Sequence, residues 1–258
     1  MNPSDLSKVT IQLYRVGRQI GETYDVIPHA SGVLLEMNKV CYLISAAHNF
    51  DQEDVQKLGF LNKKSEIIIF QGDLSRFSTD DPINLPADIA VYRLTEDTKK
   101  DLIEDGYQMI SIKDIILNRN YAIDGKLHLF GYPASKSKKN PKESKIYRKP
   151  FYFISKLKRI PKLKNYDALV NLPLDWHHRK LRSSSNRRVH SCNPKGLSGC
   201  GLWLENNGEL KLVGIMISYN KIHSFLMGTT IDLATEIIRI KFDSSSPKTD
   251  LIKLKSHN

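Results

Sequence analysis

Val9–Val16 (VTIQLYRV) alternates apolar and polar positions, the two-residue period of a strand with one buried face. Ser31–Met37 (SGVLLEM) and Val40–Ala47 (VCYLISAA) are short apolar runs split by Asn38-Lys39, which predicts a hairpin. Ser65–Gly72 (SEIIIFQG) and Ala87–Leu94 (ADIAVYRL) follow at the spacing of a barrel or sandwich. The stretch from Glu96 to Asp124 is less regular and reads as a connection. Strands are then predicted over Lys126–Pro133, Lys149–Leu157, Asp167–Leu174, Gly199–Glu205, Leu210–Ser218 and Ser224–Ile231. Only Asp232–Ile240 (DLATEIIRI) reads as a helix, with Asp232 as its cap and Leu233, Ile237 and Ile238 on one face.

The pattern therefore predicts an all-β chain of two tandem six-stranded β-barrels with a C-terminal helix. Residues 1–110 would form the first barrel, 111–242 the second barrel with the helix, and 243–258 a flexible tail. Two barrels would each bury a core and leave a cleft between them, a favoured place for a ligand. The length of 258 residues, with 40% hydrophobic and 26% charged, suits such an arrangement.

Charge and cysteine usage narrow the setting. No apolar run approaches the roughly 20 residues that span a bilayer, so no membrane partner is expected. The start MNPSDLSKVTIQLYRVG has no basic stretch followed by an apolar core, so no secretory signal is expected either. The three cysteines, Cys41, Cys192 and Cys200, are too few and odd in number for a disulfide framework, and a cytoplasmic setting is expected. The formal charge of +11 is uneven: residues 136–164 hold twelve Lys/Arg against one acid, Glu143, a net of +11 in that segment alone. A second basic cluster runs through Arg179, Lys180, Arg182, Arg187 and Arg188. Such runs are commonly solvated loops or hairpin faces; they are also candidate contacts for an acidic protein or nucleic acid. No nucleic-acid-binding motif accompanies them.

The candidate chemistry lies in Lys195–Trp203, KGLSGCGLW, where one serine stands among glycines. A turn would use the same residues. A serine nucleophile would use them too, but it needs a base, a group to orient the base, and donors for the developing oxyanion. Of the eight histidines, His48 stands out in LISAAHNF, at the end of an apolar strand beside the small pair Ala46-Ala47. Asp88 opens the apolar strand of LPADIAVYRL, a costly place for a carboxylate without a partner. The chain order His48, Asp88, Ser198 is that of the chymotrypsin triad.

Through ISAAHNF, ADIAVYRL and GLSGCGLW the chain resembles the trypsin-like (chymotrypsin-fold) serine peptidases, over about Ile11 to Ile240. LVGIMIS resembles the substrate-pairing strand that follows the serine, and FGYPAS a stretch common in bacterial, intracellular-type members. The resemblance implies a chymotrypsin-like double barrel and a serine endopeptidase working through an acyl-enzyme. Ser198 would be the nucleophile, His48 the general base and then acid, and Asp88 the partner of the His48 ring. The N–H groups of Gly196 and Ser198 would form the oxyanion hole. Cys192, Ile217, Ser218 and Tyr219 would contact substrate, with Cys192 near the floor of the primary pocket and Tyr219 narrowing it. An uncharged, small or medium residue before the scissile bond is expected, since Cys192 is no acid. The partner is then a protein or peptide substrate, and no cofactor or metal is expected.

Two positions depart from the family. Leu197 stands where secreted members carry an aspartate that a newly cut N-terminus neutralises, so activation by that ion pair is not expected. Asn49 follows His48 where those members have a disulfide cysteine. Other readings compete. A catalytically silent or latent module of the same fold would bind a protein or nucleic-acid partner. His177, His178, His190 and Cys192 are zinc-type ligands, but their spacing matches no compact zinc motif. Cys200 reads as a packing residue of the strand beginning there.

Overall fold

A computed structural model describes residues 1–20, 23–50, 57–78, 87–118, 125–140, 145–147, 149–157, 170–176, 193–221 and 224–251. After helix α1 (Leu6–Val9) come β1 (Thr10–Ile20), β2 (Thr23–Met37), β3 (Val40–Ser45), β4 (Leu58–Leu61), β5 (Ile67–Ile69), β6 (Gly72–Ser78) and β7 (Asp88–Leu94). These form one antiparallel sheet in the order β5-β4-β1-β2-β3-β7-β6. Helix α2 (Glu96–Glu104) leads to the second half, with β8 (Lys126–Gly131), β9 (Lys138–Asn140), β10 (Lys145–Tyr147), β11 (Phe151–Lys156), β12 (Asn171–Asp175), β13 (Gly201–Asn206), β14 (Glu209–Asn220), β15 (Phe225–Thr230) and helix α3 (Ile231–Lys241). Six of these strands form a second antiparallel sheet, β11-β8-β13-β14-β15-β12, while β9 and β10 pair separately inside the basic segment. Both large sheets are curled into half-barrels. In the second, an antiparallel bridge between Leu157 and Leu174 brings the edge strands together.

The all-β architecture with a C-terminal helix matches the pattern of the sequence, with one strand more in the first sheet. The reason the central strands read as continuous apolar runs is that both faces are buried. In β3, Cys41 and Leu43 fill the first half-barrel with Leu34, Phe60 and Tyr92. Tyr42 and Ile44 point the other way, into a core shared with Trp203, Leu212 and Ile215 of the second sheet and Ile231, Ala234 and Ile238 of α3. A third core, with Leu129, Phe153, Trp176, Leu202 and Val213, fills the second half-barrel. The two sheets are thus packed against each other through apolar side chains, and the helix lies over that junction.

Several elements differ from the sequence pattern. The supposed connection after Leu94 begins with α2. Thr95 Oγ1 accepts from the N–H of Thr98 at 3.3 Å, and Glu96 and Asp97 occupy the first turn, where the helix dipole favours acids. Only Thr98 and Leu102 of α2 are buried, too thin an apolar stripe to show a 3.6-residue period. The cap of α3 is Thr230 rather than Asp232. Asp232 is the second residue of the helix, in its first turn, and accepts from Thr230 Oγ1 and from the N–H of Asn118, each at 2.5 Å. Residues 243–250, expected to be loose, carry hydrogen bonds to the body. Asn38 Nδ2 donates to Asp243 at 2.6 Å, and the buried Glu236 accepts from the N–H of Thr249 at 2.7 Å. No helix among the described residues is long and apolar enough to cross a membrane.

Candidate active site

Strands β3 and β7 are paired antiparallel with Ser45 opposite Ala90. The end of one therefore lies beside the start of the other. Three residues past Ser45 the chain makes a 3-10 turn, Ala47–Asn49, carrying His48; two residues before Ala90 is Asp88. The small buried residues Ala46 and Ala47 let the backbone turn against the core. Asp88 holds His48 at two points: Oδ1 accepts from the His48 main-chain N–H at 3.0 Å, and Oδ2 makes a short hydrogen bond with ring Nδ1. A carboxylate only accepts, so Nδ1 carries the proton and Nε2 presents a lone pair. Ser198 Oγ lies 2.9 Å from that Nε2. The His48 side chain is 52% exposed and Asp88 18%, which leaves the imidazole open to the cleft and the carboxylate sheltered.

Ser198 stands in the loop leading into β13, whose course is fixed by its backbone hydrogen bonds. The carbonyls from Pro194 to Ser198 all accept: Pro194 from Leu197 N–H (2.9 Å), Lys195 from Ala134 N–H (2.9 Å), Leu197 from Cys200 N–H (3.0 Å) and Ser198 from Ser31 N–H (2.9 Å). The carbonyl of Gly196 accepts from Ser31 Oγ at 2.9 Å. Among its N–H groups, Lys195 donates to Asn193 Oδ1 at 3.1 Å and Gly199 to Met216 O at 2.7 Å. Two N–H groups are left with no acceptor among the described residues, those of Gly196 and Ser198. Gly196 has φ +91°, and a Cβ there would lie 2.4 Å from Ala134 N, so only glycine gives the loop this course. Buried N–H groups are rarely left orphaned, and a pair beside a serine hydroxyl suits a developing oxyanion.

The site opens into a cleft of about 530 Å³ between the two sheets, bordered by His29, His48, Asp88, Gly196, Ser198 and Tyr219 among others. Ile217, Ser218 and Tyr219 line it as well. The pairing of β14 with β15 skips Ile217, between Met216↔Gly228 and Ser218↔Met227. The Ile217 carbonyl consequently faces Ser198 Oγ at 3.2 Å, a second acceptor for the one hydroxyl proton besides the nearer Nε2. The Tyr219 ring rests edge-on against Trp176, 6.1 Å between centroids. Cys192, with His177, His178 and His190, lies outside the described residues, as does the whole basic cluster of Arg179, Lys180, Arg182, Arg187 and Arg188. No group of three or more His, Cys, Asp or Glu among the described residues is placed to hold a metal ion.

Leu197 is fully buried with Cys200, Leu129 and Phe153 in the second half-barrel's core. It anchors the Ser198 loop by apolar packing. Burial raises the Cys200 thiol well above its ordinary range and the Cys41 thiol to about 12, so neither is a ready thiolate. Three site residues escaped the sequence reading: Ser31, Ser45 and Asn49, all buried polar groups. Their signal was polarity inside apolar runs, in SGVLLEM and LISAAHNF.

No family model matches the chain, and no curated protein matches it. One solved structure similar to it concerns the aromatic interactions that drive coupled folding and binding of the intrinsically disordered Sesbania mosaic virus VPg protein. That chain is 12% identical, with 90% of this chain and 88% of that one covered, at a TM-score of 0.45.

Proposed function

We propose that the protein is a serine endopeptidase of the trypsin-like, chymotrypsin-fold kind, as its sequence motifs suggest. The observation that carries this reading is the line Ser198 Oγ–His48 Nε2 at 2.9 Å with Asp88 bound to the far side of the ring. In this reading Ser198 Oγ attacks the peptide carbonyl carbon while its proton passes to His48 Nε2. The carbonyl oxygen becomes an oxyanion that accepts from the N–H groups of Gly196 and Ser198. The C–N bond breaks as His48 returns the proton to the leaving amine, which leaves an acyl ester on Ser198. Water, deprotonated by the same nitrogen, then releases the acid. Asp88 keeps Nδ1 protonated throughout and stabilises the imidazolium. The exposed strand residue Ser218 lies next to the bulged Ile217, where an extended substrate could pair with the β14 backbone.

A fluorophosphonate probe tests the reading directly. Labelling of wild type is expected, with loss in Ser198→Ala and His48→Ala. Peptide turnover should fall on the order of 10⁴–10⁶-fold in those variants. Asp88→Asn should cost about 10⁴-fold, since an amide allows the wrong ring tautomer. A well-folded wild type that neither labels nor turns over peptides would sink the proposal.

A further inference from the structure

Asn49 is buried, next to His48 in sequence, and lies against the nucleophile from the opposite sheet. Its Nδ2 is 2.9 Å from Ser45 Oγ, 3.3 Å from the Ser198 carbonyl oxygen and 3.5 Å from Ser198 Oγ. The orientation of this amide follows from its neighbours. Ser45 Oγ sends its one proton to the Ser31 carbonyl at 2.7 Å, so it can only accept from Asn49. The Ser198 carbonyl can only accept as well. Both therefore face the NH₂ side of Asn49, and the oxygen side is turned away.

These bonds close a ring. Asn49 donates to Ser45, Ser45 to the Ser31 carbonyl, the Ser31 N–H to the Ser198 carbonyl, and Asn49 to that same carbonyl. Ser31 Oγ extends the ring by accepting from Tyr132 N–H at 3.0 Å while donating to Gly196. The main chain of Asn49 is held from its other side: its carbonyl accepts from His29 Nε2 at 3.0 Å. Ser31, Ser45 and Asn49 belong to the first sheet and its following turn; Gly196, Ser198 and Tyr132 belong to the second half. Ser198 stands in the loop before β13 of the second sheet and His48 in the turn after β3 of the first, so nothing local sets the gap between them. The ring spans that gap, with one member, Asn49, adjacent to His48 and another, the carbonyl, belonging to Ser198 itself.

We infer that Asn49 is a positioning residue that fixes the distance between Ser198 and His48 across the junction of the two sheets. The inference rests on the reading of those two residues as nucleophile and base. It assigns a task to the position where the resembled family has a disulfide cysteine: a hydrogen-bonded amide ties the site together in place of a covalent bridge.

Three variants of the full chain test it: Asn49→Asp, which keeps the shape and loses both donors; Asn49→Ala; and Ser45→Ala, which removes the bridge to Ser31 and guards against a single variant that fails to fold. Each is crystallised and assayed for the rate of fluorophosphonate labelling, resolved into binding and inactivation steps. The expected result is a Ser198 Oγ–Nε2 separation beyond hydrogen-bond reach. The inactivation step should slow by about 10–100-fold with probe binding little changed, the cost of a misplacement near 1 Å. An unchanged separation in the folded variants overturns the inference, whatever their labelling rate. A lower melting temperature with an unchanged labelling step per folded molecule also overturns it, because that is the mark of a merely structural residue. A wild type that does not label would instead fail the peptidase reading, and the crystallographic separation would still decide the role of Asn49.

Discussion

At the scale of single residues, the site depends on glycines that cannot carry a side chain. Gly199 has φ +89°, and a Cβ there would stand 2.0 Å from both the Ser31 carbonyl oxygen and Ser45 Oγ. Both atoms belong to the hydrogen-bonded ring behind Ser198, and neither is the free end of a flexible chain. Gly199→Ala is therefore expected to lower stability by about 3 kcal/mol or more in denaturant unfolding. Its effect should exceed that of Gly208→Ala. That turn glycine has φ +77° but nothing within 4 Å of its missing Cβ, so only the backbone strain remains. Comparable losses at the two positions would contradict the close approach at Gly199.

At the scale of elements, the β2–β3 hairpin carries His48 at its far end, so its register matters to the site. The turn places Asn38 at φ +50° and Lys39 at φ +68°, the double left-handed geometry of a type I′ turn. Asparagine tolerates this conformation and lysine does not. Replacing Lys39 by glycine removes about 1–2 kcal/mol of left-handed strain and adds about 0.4–1 kcal/mol of unfolded-chain entropy. A net gain of about 0.5–1 kcal/mol is expected from chemical denaturation, with the register Glu36↔Cys41 preserved. A loss of stability would mean that the Lys39 side chain has a role beyond its backbone, since its carbonyl already accepts from Lys99 at 2.8 Å and would still do so.

At the scale of the whole molecule, stability should depend on pH through His128. This histidine is 4% exposed, on β8 in the second sheet. The groups facing it are Tyr152, whose hydroxyl is 2.5 Å from Nδ1, Glu205 at 3.4 Å from Nε2, and the nearby Lys126. Burial lowers its proton affinity, outweighing the pull of Glu205 in the other direction. The folded state thus prefers the neutral ring, and the unfolded chain binds the proton more readily. Stability from this group is complete above the unfolded value, about 6.5, and declines as pH falls from there toward the depressed folded value. The melting temperature of wild type should drop more between pH 7.5 and pH 5.5 than that of His128→Gln. Equal drops would assign the acid sensitivity to other groups.

Much of this was legible in the sequence, for identifiable reasons. Strands with both faces buried leave long apolar runs, so the β architecture could be read directly from VCYLISAA and LVGIMIS. His48, Asp88 and Ser198 stood out because each is a polar group placed at the edge of such a run. Helix α2 was hidden because it buries only two side chains, and β6 because its residues, GDLSRFS, are mostly polar on an edge strand. The amino-acid order by itself determined the two sheets, the terminal helix and the chemistry available to His48, Asp88 and Ser198. Tertiary structure alone decided the 2.9 Å approach of Ser198 to His48, the pair of N–H groups left over in the loop, and the part played by Ser31, Ser45 and Asn49. Local sequence encodes periodicity and burial. The distance between groups 150 residues apart is set only when two sheets pack and their buried polar atoms find one another.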